Sequence, residues 1–522
     1  MIDVAIVGAG LTGLALAQRL QAEGVSLAVF DARARAGGRM LTSTEDAGGA
    51  AVDVGASWFW PETEPRITAL VAALGLRSFA QPDEGTVFNL ADPNRGPEAM
   101  NVQSIHGGAR RLSGGMARLT QALLDQLHAG TVRLGQRLVT LKDAGDHIEL
   151  QLARSESGVE HVERVHARRV VLAMPPRLVT QTVRFQPALS LTTVEAMNAV
   201  STWMAREAKA FARFDRPFWL EQGQSGSAFV SHQQAVLREV WDASDEQGAA
   251  LAGFCAMAPD TRDKFDRSLP LLTSSQFAQL FGQAAVSDEV VITDWSKDPW
   301  ACSELDRADN EGGAPQADPL LRRPHWSGRL FFGGTETARQ AAGHMEGALE
   351  SAARLADFLR PVRSTHAQPA QHLEEALQAF SQWVETERQS AIPRYRQHLN
   401  HLLSRQDQDR VTQRAMLATA EQTYTRALEQ LAGLDVCAAD SAPSGRSELT
   451  PKVLATFSGF SKALVEEALV FNAGSCALSN FQDEHRPAPD YLRAITADLA
   501  AAWREFAWAT NDLLCARTAQ AS

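Results

Sequence analysis

The first 31 residues constrain the fold more than any other part of the chain. A short apolar run leads into Gly8-x-Gly10-x-x-Gly13, which is followed by a helical pattern and a second apolar run ending in Asp31. An acid about 20 residues after the last glycine completes the fingerprint of a dinucleotide-binding βαβ unit, and here the spacing is 18 residues. In such a unit Gly8 makes the tight turn, Gly10 admits the pyrophosphate and Gly13 lets the helix pack closely on the strand. The motif predicts a doubly wound α/β domain.

Length and charge limit the remaining possibilities. A chain of 522 residues is expected to form two or three domains. The net charge of -12 argues against a nucleic-acid surface. The absence of a basic segment before the first strand and of an apolar run of about 18 residues argues against a signal peptide and a membrane span. We therefore expect a soluble cytoplasmic protein that binds neither nucleic acid nor membrane.

The cysteines do not suggest a zinc site or a disulfide framework, because they are odd in number, far apart and without a CxxC pair. They are Cys255, Cys302, Cys437, Cys476 and Cys515. His398 and His401 are three residues apart, but no Glu-x-x-His motif accompanies them, so we interpret them as surface histidines. No metal is expected.

A second glycine-rich stretch follows the fingerprint and bears on the identity of the cofactor. Arg33, Arg35 and the run Ala36-Gly37-Gly38-Arg39 come directly after Asp31, and backbone and guanidinium groups at such a turn can both bind phosphate. The plainer alternative is a solvated basic turn. Together with GAGLTG, these residues resemble the opening of the flavin-containing monoamine oxidase family, whose chains begin with this FAD fingerprint. The resemblance implies FAD contacts at Asp31, Ala32, Arg33, Gly38 and Arg39.

The resemblance continues in the family's order over about residues 1–360. Its further segments are VDVGASWFWPETEPRITALVAALGL, RLSGGMARLTQAL, RLVTL, RRVVLAMPPRL, REAKAFARFDRPFW, DWSKDPWACSE and GRLFFGGTETARQAAGHMEGAL. By this match the chain approaches the adenine through the backbone of Val139. Further FAD contacts are expected at Gly55, Ala56, Ser57, Trp58, Gly334, Thr335, Glu336, His344 and Met345.

The last of these segments has a chemical task in this interpretation. A helix starting near Gly343 would direct its amino terminus at the pyrimidine ring of the flavin, where reduction leaves negative charge. The backbone N–H groups of His344 and Met345 are the expected donors. The alternative is a glycine-containing helix cap with Met345 in the core.

The resemblance also implies a catalytic set of Lys209, His344 and Trp295. Lys209 stands in a strand-like stretch, and its spacing alone would favour a lysine on a solvent-facing side. The matching lysine of the family holds a water at flavin N5 and assists reoxidation by oxygen. Trp295 would form a wall of the flavin site.

The sequence departs from the family in its tyrosines, because the first 390 residues contain none. His344 stands where one of the family's two substrate-guiding tyrosines would be, as a hydrogen-bonding wall, a proton acceptor or a helix-cap residue. Trp300 is a candidate for the other aromatic face. Cys302 is offset from the position at which some members attach FAD through a thioether, so noncovalent FAD is expected.

These observations predict three domains. The expected FAD-binding domain is discontinuous and comprises residues 1–58, 100–185 and 290–360. A substrate domain with a mixed sheet is expected at 59–99 and 186–289, and a carboxy-terminal helical bundle at 365–522. The substrate domain is short by a helical section where the family roofs its active site. We therefore expect the bundle, which holds Tyr395, Tyr424 and Tyr491, to replace that lid; the alternative is that the bundle serves only dimerisation or the docking of a partner.

The resemblance implies oxidation of an amine C–N bond by hydride transfer to flavin N5, which gives an imine and, with oxygen, hydrogen peroxide. The expected partners are an amine and molecular oxygen, with homodimerisation left open. One alternative is an FAD dehydrogenase or desaturase that acts on a C–C bond and passes electrons to another acceptor. The other is a flavoprotein whose helical tail is a partner-binding module.

Overall fold

The computed structural model describes the chain except for residues 45–48, 102–103, 157–158, 310–314, 317, 361–369, 405–409, 435–440, 443–445, 476–477, 479–481, 486 and 522. The chain divides into two compact units, Met1–Ala353 and Arg354–Ser522. Cys437 and Cys476 and the expected start of the bundle at residue 365 lie outside the described residues.

The larger unit contains an eight-stranded sheet built around the amino-terminal motif. The first strand, Ile2–Val7, pairs in parallel with its neighbours on both sides, as a doubly wound sheet requires. In spatial order the strands are Arg184–Gln186, Arg137–Asp143, Ile148–Glu156, Val159–Leu172, Ile2–Val7, Leu27–Phe30 and Val132–Arg133; Leu330–Phe332 pairs in parallel with Val159–Leu172. The core of this sheet consists of branched and aromatic side chains such as Phe30, Leu150 and Phe332.

The second sheet has seven strands and is mixed, because one of its pairings is parallel and the others are antiparallel. Its strands, in spatial order, are Val290–Asp294, Ala208–Phe214, Ala249–Cys255, Leu237–Asp242, Gln224–Val230, Thr86–Leu90 and Glu98–Ala99. Lys209 pairs with Phe254, which in turn pairs with Glu239 on the next strand. Because directly paired residues share one face of a sheet, these three side chains form a row across the sheet.

Helices and short strand pairs connect and cover the two sheets. The helices are Leu11–Ala22, Pro65–Ala73, Ala117–Asp125, Pro176–Thr182, Leu191–Ala199, Phe218–Glu221, Pro259–Phe265, Leu269–Phe281, Glu304–Ala308 and Met345–Leu359, the last of which runs past the boundary of the unit. Single 3-10 turns occur at Gln283–Ala285, Trp295–Lys297, Pro319–Arg322 and Thr335–Thr337. Two short pairs join Thr42–Ser43 to Val52–Asp53 and Ser78–Ala80 to Arg110–Leu112.

The smaller unit is helical, as its apolar periodicity predicts. Its helices are Ala370–Gln389, Ala391–Ser404, Val411–Gly433, Thr450–Ala455, Phe460–Gly474, Gln482–His485 and Pro489–Ala521, with one short strand pair, Ser441–Ala442 and Arg446–Ser447. Gly459, at a φ of +77°, is the N-cap of helix Phe460–Gly474 and lies between that helix and Thr450–Ala455. Tyr424 stacks on Phe506 at 4.7 Å in the core of this unit.

All three tyrosines make their hydroxyl contacts within the helical unit. Tyr395 Oη donates to Asn472, Tyr424 Oη bonds Ser461, and Tyr491 Oη contacts the carboxylate of Glu484. Tyr395 and Tyr424 are almost fully buried there. Both side chains therefore belong to the core of their own unit, and the lid role of the bundle stays a prediction.

The predicted fold class is confirmed: a doubly wound sheet, a second mixed sheet and a carboxy-terminal helical region are present. The boundaries of the three predicted domains stay a prediction. Among the described helices, none combines the length and the apolarity needed to cross a bilayer. Within the same described parts of the chain, no group of three or more His, Cys, Asp or Glu could hold a metal ion, and Cys255, Cys302 and Cys515 are free thiols. His398 is half-buried and bonds Gln422, while the His401 side chain lies outside the described residues.

Candidate active site

A cavity of about 440 Å³ in the larger unit is lined from both sheets. It gathers residues that lie more than 300 positions apart, from Gly8 to Ala348. The sequence-predicted residues in its lining are Gly8, Gly10, Asp31, Ala32, Arg33, Gly38, Arg39, Gly55, Ala56, Ser57, Trp58, Lys209, Trp295, Trp300, Gly334, Thr335, Glu336, His344 and Met345. Gly13 and Val139 are not among the lining residues.

The glycine-rich turn at one end of the cavity has the shape needed to bind a phosphate. Gly8 adopts a φ of +112°, which an L side chain would resist, and a Cβ there would meet the Ala173 carbonyl oxygen at 2.3 Å. A Cβ at Gly10 would meet nothing within 4 Å, because Gly10 borders open space. Gly10 is also the N-cap of helix Leu11–Ala22, and no side chain caps that helix. The first N–H groups of the helix are therefore available to an anion.

Gly13 acts in packing, as the motif predicts. A Cβ on Gly13 would lie 1.9 Å from the carbonyl oxygen of Gly8, so only glycine lets the helix approach the turn this closely. Asp31 lines the cavity, and its two oxygens accept the N–H groups of Ala9 at 2.7 Å and Arg33 at 2.8 Å. The carboxylate thus fixes the shape of the loop beside the expected ribose position. Arg33 is itself held by a bidentate contact with Asp298.

A buried carboxylate, Glu336, follows the glycine pair at residues 333 and 334. Glu336 is fully buried, and Arg39 Nη2 lies 2.6 Å from its Oε1. Among the described residues, neither of its oxygens has a well-aligned hydrogen-bond donor. Because a buried charged group without hydrogen bonds is costly, this carboxylate fits a hydroxyl donor supplied by a bound molecule.

Lys209 lies inside the cavity rather than on a solvent-facing side of its strand. Its Nζ donates to the Gly55 carbonyl at 2.6 Å and to Ser57 Oγ at 2.7 Å, and the Asp53 carbonyl lies at 3.4 Å. Trp58, Trp241 and Phe254 surround the ammonium, with ring centroids 5.0 to 5.4 Å from Nζ. Burial lowers the pKa of Lys209 from 10.5 to about 8, and the charge of Asp53 partly offsets that effect. Burial in turn raises the pKa of Asp53.

Tryptophans dominate the walls of the cavity, where the resemblance would have led one to look for tyrosines. The lining includes Trp58, Trp60, Trp203, Trp295 and Trp300. Trp295 is buried and donates from its indole nitrogen to the Val54 carbonyl at 2.8 Å, as expected for a rigid wall. Trp60 and Trp203 were not predicted as site residues. The only signal for them in the sequence is the absence of tyrosine.

Three carboxylates and a histidine in the lining were also missed. Glu207 pairs with Arg238 at 2.8 Å, and Glu239 contacts His106 Nε2 at 3.0 Å. The His106 ring lies against Trp58 with centroids 4.3 Å apart. Glu64 Oε2 accepts the N–H of Trp60 at 2.8 Å. These acids sit in three separate segments, so no motif marks them as a group.

His344 stands at the cavity beside an acid and an aromatic ring. Its Nδ1 lies 3.9 Å from Glu64 Oε1, and its ring stacks on Trp203 with centroids 5.9 Å apart. The His344 N–H donates to the Ala341 carbonyl at 3.0 Å, so in this structure it serves the turn before the helix. The helix begins at Met345, and its amino terminus faces the cavity because Met345 and Ala348 line it.

Val139 and Cys302 both lie outside the lining of the cavity. Val139 lies at a register shift between Leu138 and Thr140 in its strand, and its neighbour Leu138 is the residue that lines the cavity; the contact of the Val139 backbone with the adenine stays a prediction. Cys302 is buried outside the lining, and its thiol points to the Ser303 carbonyl at 3.6 Å. Burial raises the pKa of Cys302 to about 11, which disfavours its thiolate form.

Comparisons with known proteins agree with this geometry. The family model for flavin containing amine oxidoreductase matches residues 95–359, and a model for an NAD(P)-binding Rossmann-like domain matches residues 6–74. A flavin-containing amine oxidase of Danio rerio is 26% identical over 298 residues, which are 54% of this chain and 51% of that protein. Putrescine oxidase of Kocuria rosea is 23% identical over 463 residues, covering 66% of this chain and 92% of that protein. The chain thus spans about half the length of some curated relatives and most of others.

Solved structures show the same fold. A structure of wild-type putrescine oxidase bound to putrescine has a TM-score of 0.56 at 20% identity, covering 68% of this chain and 98% of that one. Cyclohexylamine oxidase from Brevibacterium oxydans has a TM-score of 0.55 at 21% identity, covering 69% of this chain and 99% of that one. At these identities the likeness concerns the fold alone.

Proposed function

The chain belongs to the family of flavin-containing amine oxidoreductases, and we propose that it oxidises the C–N bond of an amine with noncovalently bound FAD and molecular oxygen. The observation that carries the proposal is that one cavity combines a phosphate-binding turn, a buried lysine and a wall of tryptophans and carboxylates. A dinucleotide site alone would fit many oxidoreductases. The tryptophans and carboxylates of the lining attract cations, and this favours an amine substrate.

The lining fits FAD at several independent points. The uncapped helix start at Gly10 suits the pyrophosphate, and the buried Glu336 suits a hydroxyl of the ribityl chain. The helix that begins at Met345 would place positive partial charge beside the pyrimidine ring. Bound there, FAD would supply a two-electron acceptor for a hydride from the carbon next to the amine nitrogen, with the resulting imine left to hydrolysis and molecular oxygen, together with two protons, as the final acceptor that forms hydrogen peroxide.

The protein contributes alignment, exclusion of water and electrostatics. Trp58, Trp60 and Trp203 offer aromatic faces, which attract cations, and tryptophan attracts them best among the aromatic residues. Glu64 and Glu239 add negative charge to the same space, so an ammonium group is drawn in before it loses its proton. We assign Trp295 to the wall of the flavin site and Lys209 to the side at which oxygen reacts. His344, oriented by Glu64, is assigned to the substrate wall.

Anaerobic reduction of the bound flavin tests the proposal. The holoenzyme is mixed with a panel of primary and secondary amines and with alcohols of the same carbon skeleton, and flavin absorbance is followed. We expect at least one amine to bleach the flavin and its matched alcohol to leave it oxidised. Admission of air should then restore the absorbance and yield one peroxide per flavin. No bleaching by any amine would contradict the proposal, and a flavin that bleaches but stays reduced in air would indicate a dehydrogenase.

A further inference from the structure

We propose that Ser57 is the positioning residue of Lys209: its hydroxyl oxygen accepts one N–H of the ammonium and so directs another N–H into the cavity. This inference rests on the proposed function, because it concerns the group that we place beside the reacting flavin. The hydroxyl acts through the lysine and not on the substrate.

The surroundings of Lys209 Nζ leave few directions for its three N–H bonds. Two are taken by short contacts, to the Gly55 carbonyl at 2.6 Å and to Ser57 Oγ at 2.7 Å. The third oxygen, the Asp53 carbonyl, lies at 3.4 Å and makes only a weak contact. Once the two short bonds are made, tetrahedral geometry fixes the direction of the third N–H. Because Lys209 lines the cavity, that N–H is the one left to a water or a flavin atom.

Apart from the distant Asp53 carbonyl, the described groups that border the ammonium on its other sides are aromatic. Rings of Trp58, Trp241 and Phe254 surround it at 5.0 to 5.4 Å. Aromatic faces attract a cation but do not set the direction of its N–H bonds as an oxygen lone pair does. The orientation of the lysine therefore depends on the two short contacts.

Ser57 is itself held so that it can accept. Its hydroxyl proton has carbonyl acceptors at Asp53, 3.2 Å away, and at Gly55, 3.4 Å away. With the proton directed to a carbonyl, a lone pair of Oγ faces Lys209. The loop cannot easily move, because a Cβ on Gly55 would lie 1.9 Å from the Arg39 carbonyl, and the Ser57 side chain is buried.

Loss of the hydroxyl should act on the lysine in two ways. Ser57→Ala removes an acceptor from the charged form, so the pKa of Lys209 should fall below its value of about 8. A hydrogen bond to a charged group corresponds to a shift of about one pH unit or somewhat more. The ammonium should also rotate more freely. Ser57→Thr retains the oxygen and should restore both properties.

Lysine NMR measures the first effect without any substrate. The chain contains only six lysines, so protein labelled with ¹³C at lysine Cε should give one titrating signal well apart from the other five. Its assignment comes from loss of the signal in Lys209→Met. We expect the midpoint of this signal to move down by about one pH unit in Ser57→Ala and to stay in place in Ser57→Thr. Ser231→Ala, an exposed serine of the same unit, is the matched control.

An unchanged midpoint in Ser57→Ala would overturn the proposal. If Ser57→Ala fails to fold or to retain flavin, Ser57→Gly removes the same hydroxyl with a smaller residue. An unchanged midpoint of the Lys209 signal in Ser57→Gly would overturn the proposal in the same way. Rapid mixing of the reduced enzyme with oxygen gives a second reading. Reoxidation in Ser57→Ala should slow by about tenfold and its pH profile should follow the shifted midpoint, while reduction by an amine changes less. An unshifted profile would also contradict a positioning role.

The two hypotheses fail differently. If no amine reduces the flavin, the proposed function is wrong, whereas the NMR titration still measures whether Ser57 sets the state of Lys209. If amines reduce the flavin and the titration is unchanged, only the role of Ser57 is wrong.

Discussion

Replacement of Lys209 by methionine should change the pH dependence of stability, because folding buries an ammonium. The pKa falls from 10.5 to about 8 on burial. At about 1.4 kcal/mol for each pH unit, this corresponds to roughly 3 kcal/mol. Below pH 8 the lysine is charged in both the folded and the unfolded states, so the full cost of burying it applies. As the pH rises from 8 to 10.5 the folded protein loses its proton first, and the cost disappears.

The absolute stability of the variant is a less useful quantity. Methionine fills similar space among Trp58, Trp241 and Phe254, but it leaves the Gly55 carbonyl and Ser57 Oγ without their donor. An unsatisfied buried acceptor costs about 1 to 3 kcal/mol, which offsets much of the gain from removing the charge. The change in the free energy of unfolding with pH is free of this offset, because methionine does not titrate and the cost of the lost hydrogen bonds in the variant is the same at every pH.

The assay is urea unfolding of the FAD-saturated protein, followed by flavin fluorescence, at several pH values between about 7 and 10. We expect wild-type stability to gain up to roughly 3 kcal/mol relative to Lys209→Met across this range. Lys264→Met, which removes an exposed lysine, should follow the wild type. Parallel pH curves for wild type and Lys209→Met would refute the argument, since they would mean that folding does not perturb the lysine. In rapid mixing, the same variant should slow reoxidation by oxygen more than reduction by substrate.

Three further predictions concern the cofactor and the substrate wall. Gly10→Val should abolish FAD retention, because the valine side chain would enter the open space in front of the helix that starts at Leu11. Gly96→Val, at an exposed glycine with open surroundings, is the control and should keep the normal flavin-to-protein ratio. Normal flavin content in Gly10→Val would exclude the dinucleotide role of this turn. Acid precipitation should release the yellow flavin into the supernatant, and flavin that stays in the pellet would point to a covalent bond. Glu239→Gln should raise KM for the amine by about tenfold, as expected for the loss of one charge contact. Glu246→Gln, at an exposed glutamate, is the control. Equal KM values for Glu239→Gln and the wild type would remove Glu239 from the substrate wall.

The cofactor half of the site could be predicted from the sequence because its chemistry is local. A glycine that must admit a phosphate, or one that must let a helix approach a turn, is specified within a few residues. Gly8, Gly10, Gly38 and Gly334 therefore appear in short motifs, and the structure brings all four to one cavity. Val139 was predicted from the resemblance alone, and its backbone contact with the adenine stays a prediction.

The substrate half was predicted less well because its members meet only through the sheet. Lys209, Phe254 and Glu239 form one row, but this row is set by strand pairing between residues up to 45 positions apart. Strand register depends on the whole hydrophobic pattern and on bulges, and one such irregularity lies between Leu237 and Glu239. Spacing along the chain thus favoured a solvent-facing lysine, whereas the fold buries it.

The absence of tyrosine from the first 390 residues was the most informative departure from the family, but it did not predict which residues form the wall of the cavity. It excluded a tyrosine wall built from the larger unit, and the hypothesis then turned to the tyrosines of the tail. In the structure Tyr395 and Tyr424 lie in the core of the helical unit, and five tryptophans line the cavity. Tryptophan offers a larger face to a cation than tyrosine but no hydroxyl. On the proposed function, hydrogen bonds to an amine would come from other groups in the lining, which include Glu64, Glu239 and His344. In such a wall tryptophans would supply the aromatic face and charged or polar side chains would supply the hydrogen bonds. A cationic group would then be held by its charge and shape, and not by hydrogen bonds to tyrosine hydroxyls.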